Sequence, residues 1–177
     1  MVVHKIVRAV IGSIGVCVIG FTIVAVFAVW SGYRLNASSS APVGIWKISE
    51  VTPGELAVGE YVLICPPEHD VLRSLLRQGR MWKGSCESGT VPFIKEVAAH
   101  STGTFSVSDQ GVLIDGELIP QTQPYPWENL VPAEPSTIGA GEFVAIQTMH
   151  VGSIDSRYFG PLQVSNVIGV VEPVWIF

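Results

Sequence analysis

The chain has 177 residues, room for one domain and an appendage. With 48% apolar and 14% charged residues it is not an intrinsically disordered chain. Ten Lys and Arg stand against fifteen Asp and Glu, a net charge of −5, which leaves no basic excess for coating a nucleic acid.

The charge is unevenly spread. Lys5 and Arg8 lie near the N-terminus, no charged residue occurs from Ala9 through Tyr33, and the remainder is acidic. A helix over Ala9–Trp30 would span roughly 33 Å at about 1.5 Å per residue, close to the hydrocarbon thickness of a bilayer. Basic residues precede the run, so its N-terminal side is expected in the cytoplasm. This divides the chain into a cytoplasmic start (1–8), a transmembrane anchor (9–30) and an exported domain (31–177). Ala25-Val26-Phe27-Ala28 keeps a cleaved signal peptide open as the alternative. Ser13 and Thr22 could mark a helix contact or bond back to their own backbone. Ile45, Trp46 and Trp30 are candidate residues for the membrane interface; Trp46 could equally pack within the sheet.

Beyond the run, short segments of β-branched and aromatic residues recur between turn signals: Gly44–Ser49, Tyr61–Cys65, Pro92–Ala98, Thr104–Val107, Val112–Ile119, Glu142–Thr148 and Val167–Phe177. The fold class is therefore mainly β. Between the second and third segments, Val71, Leu72, Leu75 and Leu76 share one helical face, predicting a helix over Glu68–Gln78 with Gly79 as its stop. Asp115-Gly116 predicts a two-residue hairpin, because a type I′ turn needs positive φ at both centres. Gln121–Ala140, rich in Pro and polar residues, reads as an ordered surface loop or flap.

Cys65 and Cys86 are the only cysteines after Cys17, which lies in the apolar run. An oxidising compartment would let them form a disulfide, pinning the helical excursion between them. His69, His100 and His150 are scattered and no Cys-x-x-Cys occurs, so no metal site is expected.

Two places could carry chemistry. Asn36-Ala37-Ser38-Ser39-Ser40-Ala41-Pro42-Val43-Gly44-Ile45-Trp46 follows the apolar run, where a serine-rich stretch by itself reads as linker. In Phe93-Ile94-Lys95-Glu96-Val97, strand alternation puts Lys95 on one face with Phe93 and Val97, away from Glu96. Such a lysine either snorkels to water or is desolvated, and a desolvated lysine can serve as a neutral base.

Asn36-x-Ser38-x-Ser40-x-Pro42-x-Gly44-Ile45-Trp46 resembles the nucleophile box of the TraF-type conjugative transfer peptidases, a branch of the bacterial type I signal peptidase family. Gly59–Pro67, the block around Lys95, the hairpin Gly111–Ile119 and Ser153-Ile154-Asp155-Ser156-Arg157-Tyr158-Phe159-Gly160-Pro161 follow in the same order. The resemblance implies a signal-peptidase-like β domain and a serine endopeptidase with a Ser–Lys dyad: Ser40 as nucleophile, Lys95 as general base, and the Ser40 N–H with the Ser38 hydroxyl at the oxyanion. The spacing of ordinary signal peptidases would select Ser39 in place of Ser40. Asp155 and Arg157 are expected as a supporting ion pair. No cofactor is implied.

The substrate that the resemblance implies is a pro-pilin of a conjugative type IV secretion system, trimmed at its C-terminal end, with joining of the new end to the pilin's N-terminus as a further step open to such enzymes. Expected partners are the bilayer through the N-terminal helix and components of that system, with the catalytic domain in the periplasm at the inner membrane. Gln147-Thr148-Met149-His150 replaces the Gly-Asp-Asn-Arg run of ordinary signal peptidases, which weighs against general preprotein processing. The rivals are a general signal peptidase, a Ser-His-Asp hydrolase using His100 or His150 with Asp155, and a non-catalytic anchored scaffold.

Overall fold

The computed structural model describes residues 2–50, 56–126 and 130–177, with no side chains for 2–6 and 9. The side chains of His4 and Lys5, and Trp127–Asn129 within the expected flap, lie outside the described residues. The chain forms two units, 1–34 and 35–177.

The first unit is a helix, α1 (Val2–Trp30). Its Val10–Trp30 stretch, with mean hydropathy 2.6, is long and apolar enough to cross a membrane. Thr22 donates its hydroxyl to the Val18 carbonyl at 2.8 Å, the backbone bond open to it from the sequence.

The second unit is mainly β. Its strands are β1 (Tyr33–Asn36, which begins at the end of the first unit), β2 (Gly44–Ser49), β3 (Tyr61–Ile64), β4 (Phe93–His100), β5 (Thr104–Ser108), β6 (Gly111–Ile114), β7 (Glu117–Leu118), β8 (Ser136–Thr137), β9 (Glu142–Ile146), β10 (Leu162–Gln163) and β11 (Val167–Ile176). The larger sheet has the order β1-β2-β11-β3-β4-β9-β10 and the smaller one β7-β6-β5-β8. The first part of β11, through Val170, pairs with β3, and from Val170 on it pairs with β2, with a register shift in that second ladder between Pro173 and Trp175. A proline has no N–H for the ladder, so it sits at such irregularities.

The larger sheet buries both faces. Val62, Ile64, Val97, Phe143, Ala145 and Leu162 form a cluster on one side. Leu63 and Ile94, ladder partners whose side chains point to the other side, join Ala41, Trp46 and Val171 in another. Trp46 is fully buried; its ring lies 5.2 Å from that of Tyr61 and its Nε1 donates to the Pro42 carbonyl. Of the two readings of Trp46 the sheet-packed one holds and the interfacial one does not: its one polar atom is satisfied internally, so nothing draws it to a surface.

Helix α2 (Asp70–Arg77) is one turn shorter than expected overall, because the His69 ring nitrogen accepts from the Val71 N–H and caps it there. Asp115 and Gly116 have φ of 51° and 81°, as the hairpin requires. Cys65 and Cys86 are joined by a disulfide. Of Gln121–Ala140, the described residues are an ordered loop and not a loose flap. Thr122, Leu130 and Ile138 are buried, Ser136–Thr137 adds β8 to the smaller sheet, and the Tyr158 hydroxyl bonds to Tyr125.

Candidate active site

The serine loop joins β1 to β2 and is stapled by one side chain. Asn36 Nδ2 donates to the carbonyls of Ser38, Ala41 and Pro42 at 3.0–3.1 Å, while its Oδ1 accepts from the Ser38 N–H. Inside this staple the Ser38 and Ser40 hydroxyls lie 2.9 Å apart, and the Ser40 N–H donates to Ser38 Oγ. Ala41 is buried beyond Ser40, and Ser39 is exposed. Gly44, where β2 begins, has no space for a side chain: a Cβ there would come within 2.1 Å of the Trp175 carbonyl. The backbone of β11 therefore closes against the exit of the loop.

Lys95 stands in the middle of β4, opposite Val62 of β3. It is 2% exposed, so the desolvated reading applies and the snorkelling one does not. Its Nζ donates to Ser153 Oγ at 2.5 Å and lies 5.6 Å from the Phe93 ring centre. Burial drives its pKa from 10.5 down to about 8, against the upward pull of the Asp155 charge and with a smaller downward push from Arg157.

Asp155 and Arg157 organise the segment carrying Ser153. Both are fully buried and joined by two short bonds, Nε to Oδ1 at 2.8 Å and Nη2 to Oδ2 at 2.7 Å. Asp155 also accepts from the backbone N–H groups of Gln147 and Arg157. Arg157 donates to the carbonyls of Gln147, Val151 and Gln123. The pair fixes both ends of the turn on which Ser153 meets Lys95. Short helix α3 (Ser156–Phe159) starts from Asp155 as its cap.

Ser40 and Lys95 do not share a hydrogen bond among the described residues. Their chain neighbours Ala41 and Ile94 belong to the same buried cluster, which ties the serine loop to β4 through the sheet face opposite the one that Lys95 shares with Val97. Hydrogen bonds between catalytic groups often close only with substrate in place. The rival triad finds no support: Asp155 is committed to Arg157, His150 Nδ1 accepts from the Gly152 N–H, and His100 meets Ser101. No group of three or more metal-ligating side chains occurs among the described residues.

Sequence reasoning gave Ser153 no role, although the residue lies in the 153–161 segment. The available signal was a hydroxyl two positions before Asp155; its partner, 58 positions away, could be assigned only in three dimensions.

An N-terminal apolar helix, a mainly β domain and a buried lysine facing a C-terminal Ser-x-Asp-x-Arg segment define a protein of the signal peptidase type. The chain matches the signal peptidase family, peptidase S26, over residues 6–176, and it belongs to that family. It is 31% identical over 154 residues to the conjugal transfer protein TraF of Agrobacterium tumefaciens (strain 15955), covering 85% of this chain and 86% of that one. It is 32% identical over 150 residues to a plasmid transfer protein TraF of Escherichia coli, covering 81% and 83%. A signal peptidase I from Enterococcus faecalis is a distant structural likeness, with a TM-score of 0.38 and 14% identity over 67% of this chain and 98% of that one.

Proposed function

We propose that this chain is a membrane-anchored serine endopeptidase with a Ser40–Lys95 dyad, acting on a pilin precursor of a conjugative type IV secretion system. The observation that carries the reading is Lys95: fully buried, held by Ser153 and brought to a pKa of about 8, it supplies a neutral amine near physiological pH. A fold rarely keeps a lysine so unfavourably placed without use. The TraF names of the relatives support the conjugative setting.

In the reaction, Ser40 Oγ attacks the scissile carbonyl as its proton passes to Lys95, and the tetrahedral oxyanion is met by the Ser40 N–H and the Ser38 hydroxyl. Lys95 then returns the proton to the leaving amine. The Ser40 ester is resolved by water, giving a linear product, or by the amino end of the same pilin, giving a ring; an end held nearby has a high effective concentration. The helix would hold the enzyme in the inner membrane, with the disulfide-bearing domain in the periplasm.

The test is cleavage of the co-expressed pilin precursor in membranes carrying wild type, Ser39→Ala, Ser40→Ala, Lys95→Ala or Lys95→Arg. Cleavage should survive only in wild type and Ser39→Ala. Cleavage by a folded Lys95→Ala variant would overturn the dyad. A mature pilin lighter than the linear form by one water would support ring closure.

A further inference from the structure

The acidic domain carries its surface positive charge almost wholly in one place. Residues 71–86 hold Arg73, Arg77, Arg80 and Lys83 and no Asp or Glu. All four are exposed; among the described residues of 35–177, the one other exposed Lys or Arg is Lys47, since Lys95 and Arg157 are buried. Arg73 stands 3.8 Å from Glu68 and 3.4 Å from Asp70, so the patch centres on Arg77, Arg80 and Lys83. The apolar side of α2, with Val71, Leu72 and Leu75, is turned into the domain, and its outward side is polar. After the helix the chain doubles back. The Arg80 N–H donates to the Leu75 carbonyl, which lays Arg80 against the turn that carries Arg77.

Next to these cations Trp82 is 61% exposed. It does not sit on a loose tail. Its carbonyl accepts from the Val91 N–H, Lys83 pairs with Thr90, the Gly84 N–H donates to the Gly89 carbonyl, and Cys86 is bonded to Cys65. An indole held outward on a braced segment between arginine and lysine has the composition of an interfacial anchor, with the ring at headgroup level and the cations on phosphates. The topology agrees. β2 and β3 are both antiparallel to β11, so they point the same way, and β3 ends where β2 ends. The loop 37–43 is too short for a parallel crossover, so β1 begins at that same end. Only Ser31 and Gly32 separate β1 from α1. The basic excursion thus leaves the sheet at the end where the chain enters from the apolar helix.

We propose that Arg77, Arg80, Lys83 and Trp82 form a surface that docks on anionic phospholipid headgroups of the bilayer holding α1, and so orients the domain on the membrane. The inference rests on α1 being a membrane anchor. A patch of this size binds lipid weakly from free solution, but the anchor holds it at a high local lipid concentration. Each Lys or Arg close to an anionic surface strengthens attachment about fivefold. The acidic remainder of the domain is repelled by the same lipids, which leaves one preferred face. An acidic protein could meet the charges alone; the indole and the position beside the chain's entry favour lipid.

The experiment uses the full chain reconstituted in lipid nanodiscs of phosphatidylcholine, alone or mixed equally with phosphatidylglycerol, with acyl chains brominated near the headgroup. The Trp82 emission is taken as the difference between wild type and Trp82→Phe, and its quenching by bromine reports docking. The docked-to-undocked ratio should rise about fivefold or more with phosphatidylglycerol present. It should return to the phosphatidylcholine level in the triple variant Arg77→Gln, Arg80→Gln, Lys83→Gln. Wild type should lose it likewise at about 1 M salt, where the screening length is about 3 Å. All the substituted side chains are exposed, and the comparison of lipids and salts is made on wild type itself. Equal quenching in the two bilayers, or quenching unchanged in the triple variant, would overturn the proposal and leave the patch to an acidic protein. Failure of the chain to remain with the discs on flotation would show that α1 is no anchor; the proposal would fall with it, by a result distinct from loss of docking.

Discussion

The position of Lys95 makes a quantitative statement about pH. With its pKa brought from 10.5 to about 8, roughly one molecule in ten carries a neutral Lys95 at pH 7; an unperturbed lysine would be neutral in about one in three thousand. Burial therefore enlarges the neutral population of Lys95 about 300-fold. The acylation rate should rise close to tenfold per pH unit below 8 and level above it. The assay is single-turnover acylation of Ser40 in micelles between pH 6 and 10, read by mass spectrometry. A flat profile, or an inflection at or above 10, would refute the reasoning. The same shift bears on stability. Below pH 8 the folded protein holds a buried charge that the unfolded chain carries in water, at a cost of about 3 kcal/mol. Between about 8 and 10.5 the unfolded state binds more protons than the folded one, so this group's contribution to stability rises with pH and the cost disappears. Activity and this component of stability should therefore climb in the same direction.

Three further outcomes follow from the geometry. Asn36→Ala removes the staple of the serine loop and should lower acylation about 10- to 100-fold while stability falls by only about 1–2 kcal/mol, measured by single-turnover kinetics beside chemical denaturation. Asp155→Ala leaves Arg157 buried without its partner and should destabilise by about 3–5 kcal/mol, seen as a melting temperature lower by about 10 °C. Replacing Cys65 and Cys86 together by Ala should reduce stability by about 3 kcal/mol in urea unfolding, with the Ser40 acylation rate of the folded fraction nearly unchanged.

Much of this architecture could be read along the chain, for identifiable reasons. The placement of Lys95 on the face of Val97 follows from a period of two, though its burial does not, and the Asp115-Gly116 turn follows from backbone preferences. The apolar helix follows from an uninterrupted run without charge. All three are local. The parts not legible are those whose cause is remote. β1 and β10 are too short and too polar to show a strand pattern, and they exist because β2 and β9 offer them a ladder. Trp46 fitted the membrane interface and the sheet equally well in the sequence, and only the Pro42 carbonyl, its partner in the fold, decides for the sheet. The carboxylate of Asp155 was expected to pair with Arg157, but the three carbonyls that Arg157 gathers, and Ser153 on the turn between them, depend on loops brought together only by folding.

The strand order has a consequence in time. Among the described residues, β2, which follows the serine loop, is joined to β3 and the lysine-bearing β4 only through β11. A nascent chain that has emerged as far as β10 already contains every residue assigned to the reaction, yet the ladder that would hold its two halves in one sheet is still missing. If Ser40 and Lys95 act together as proposed, they can be brought into one sheet only once this late strand has slotted into its centre, so the proposed reaction would wait for β11.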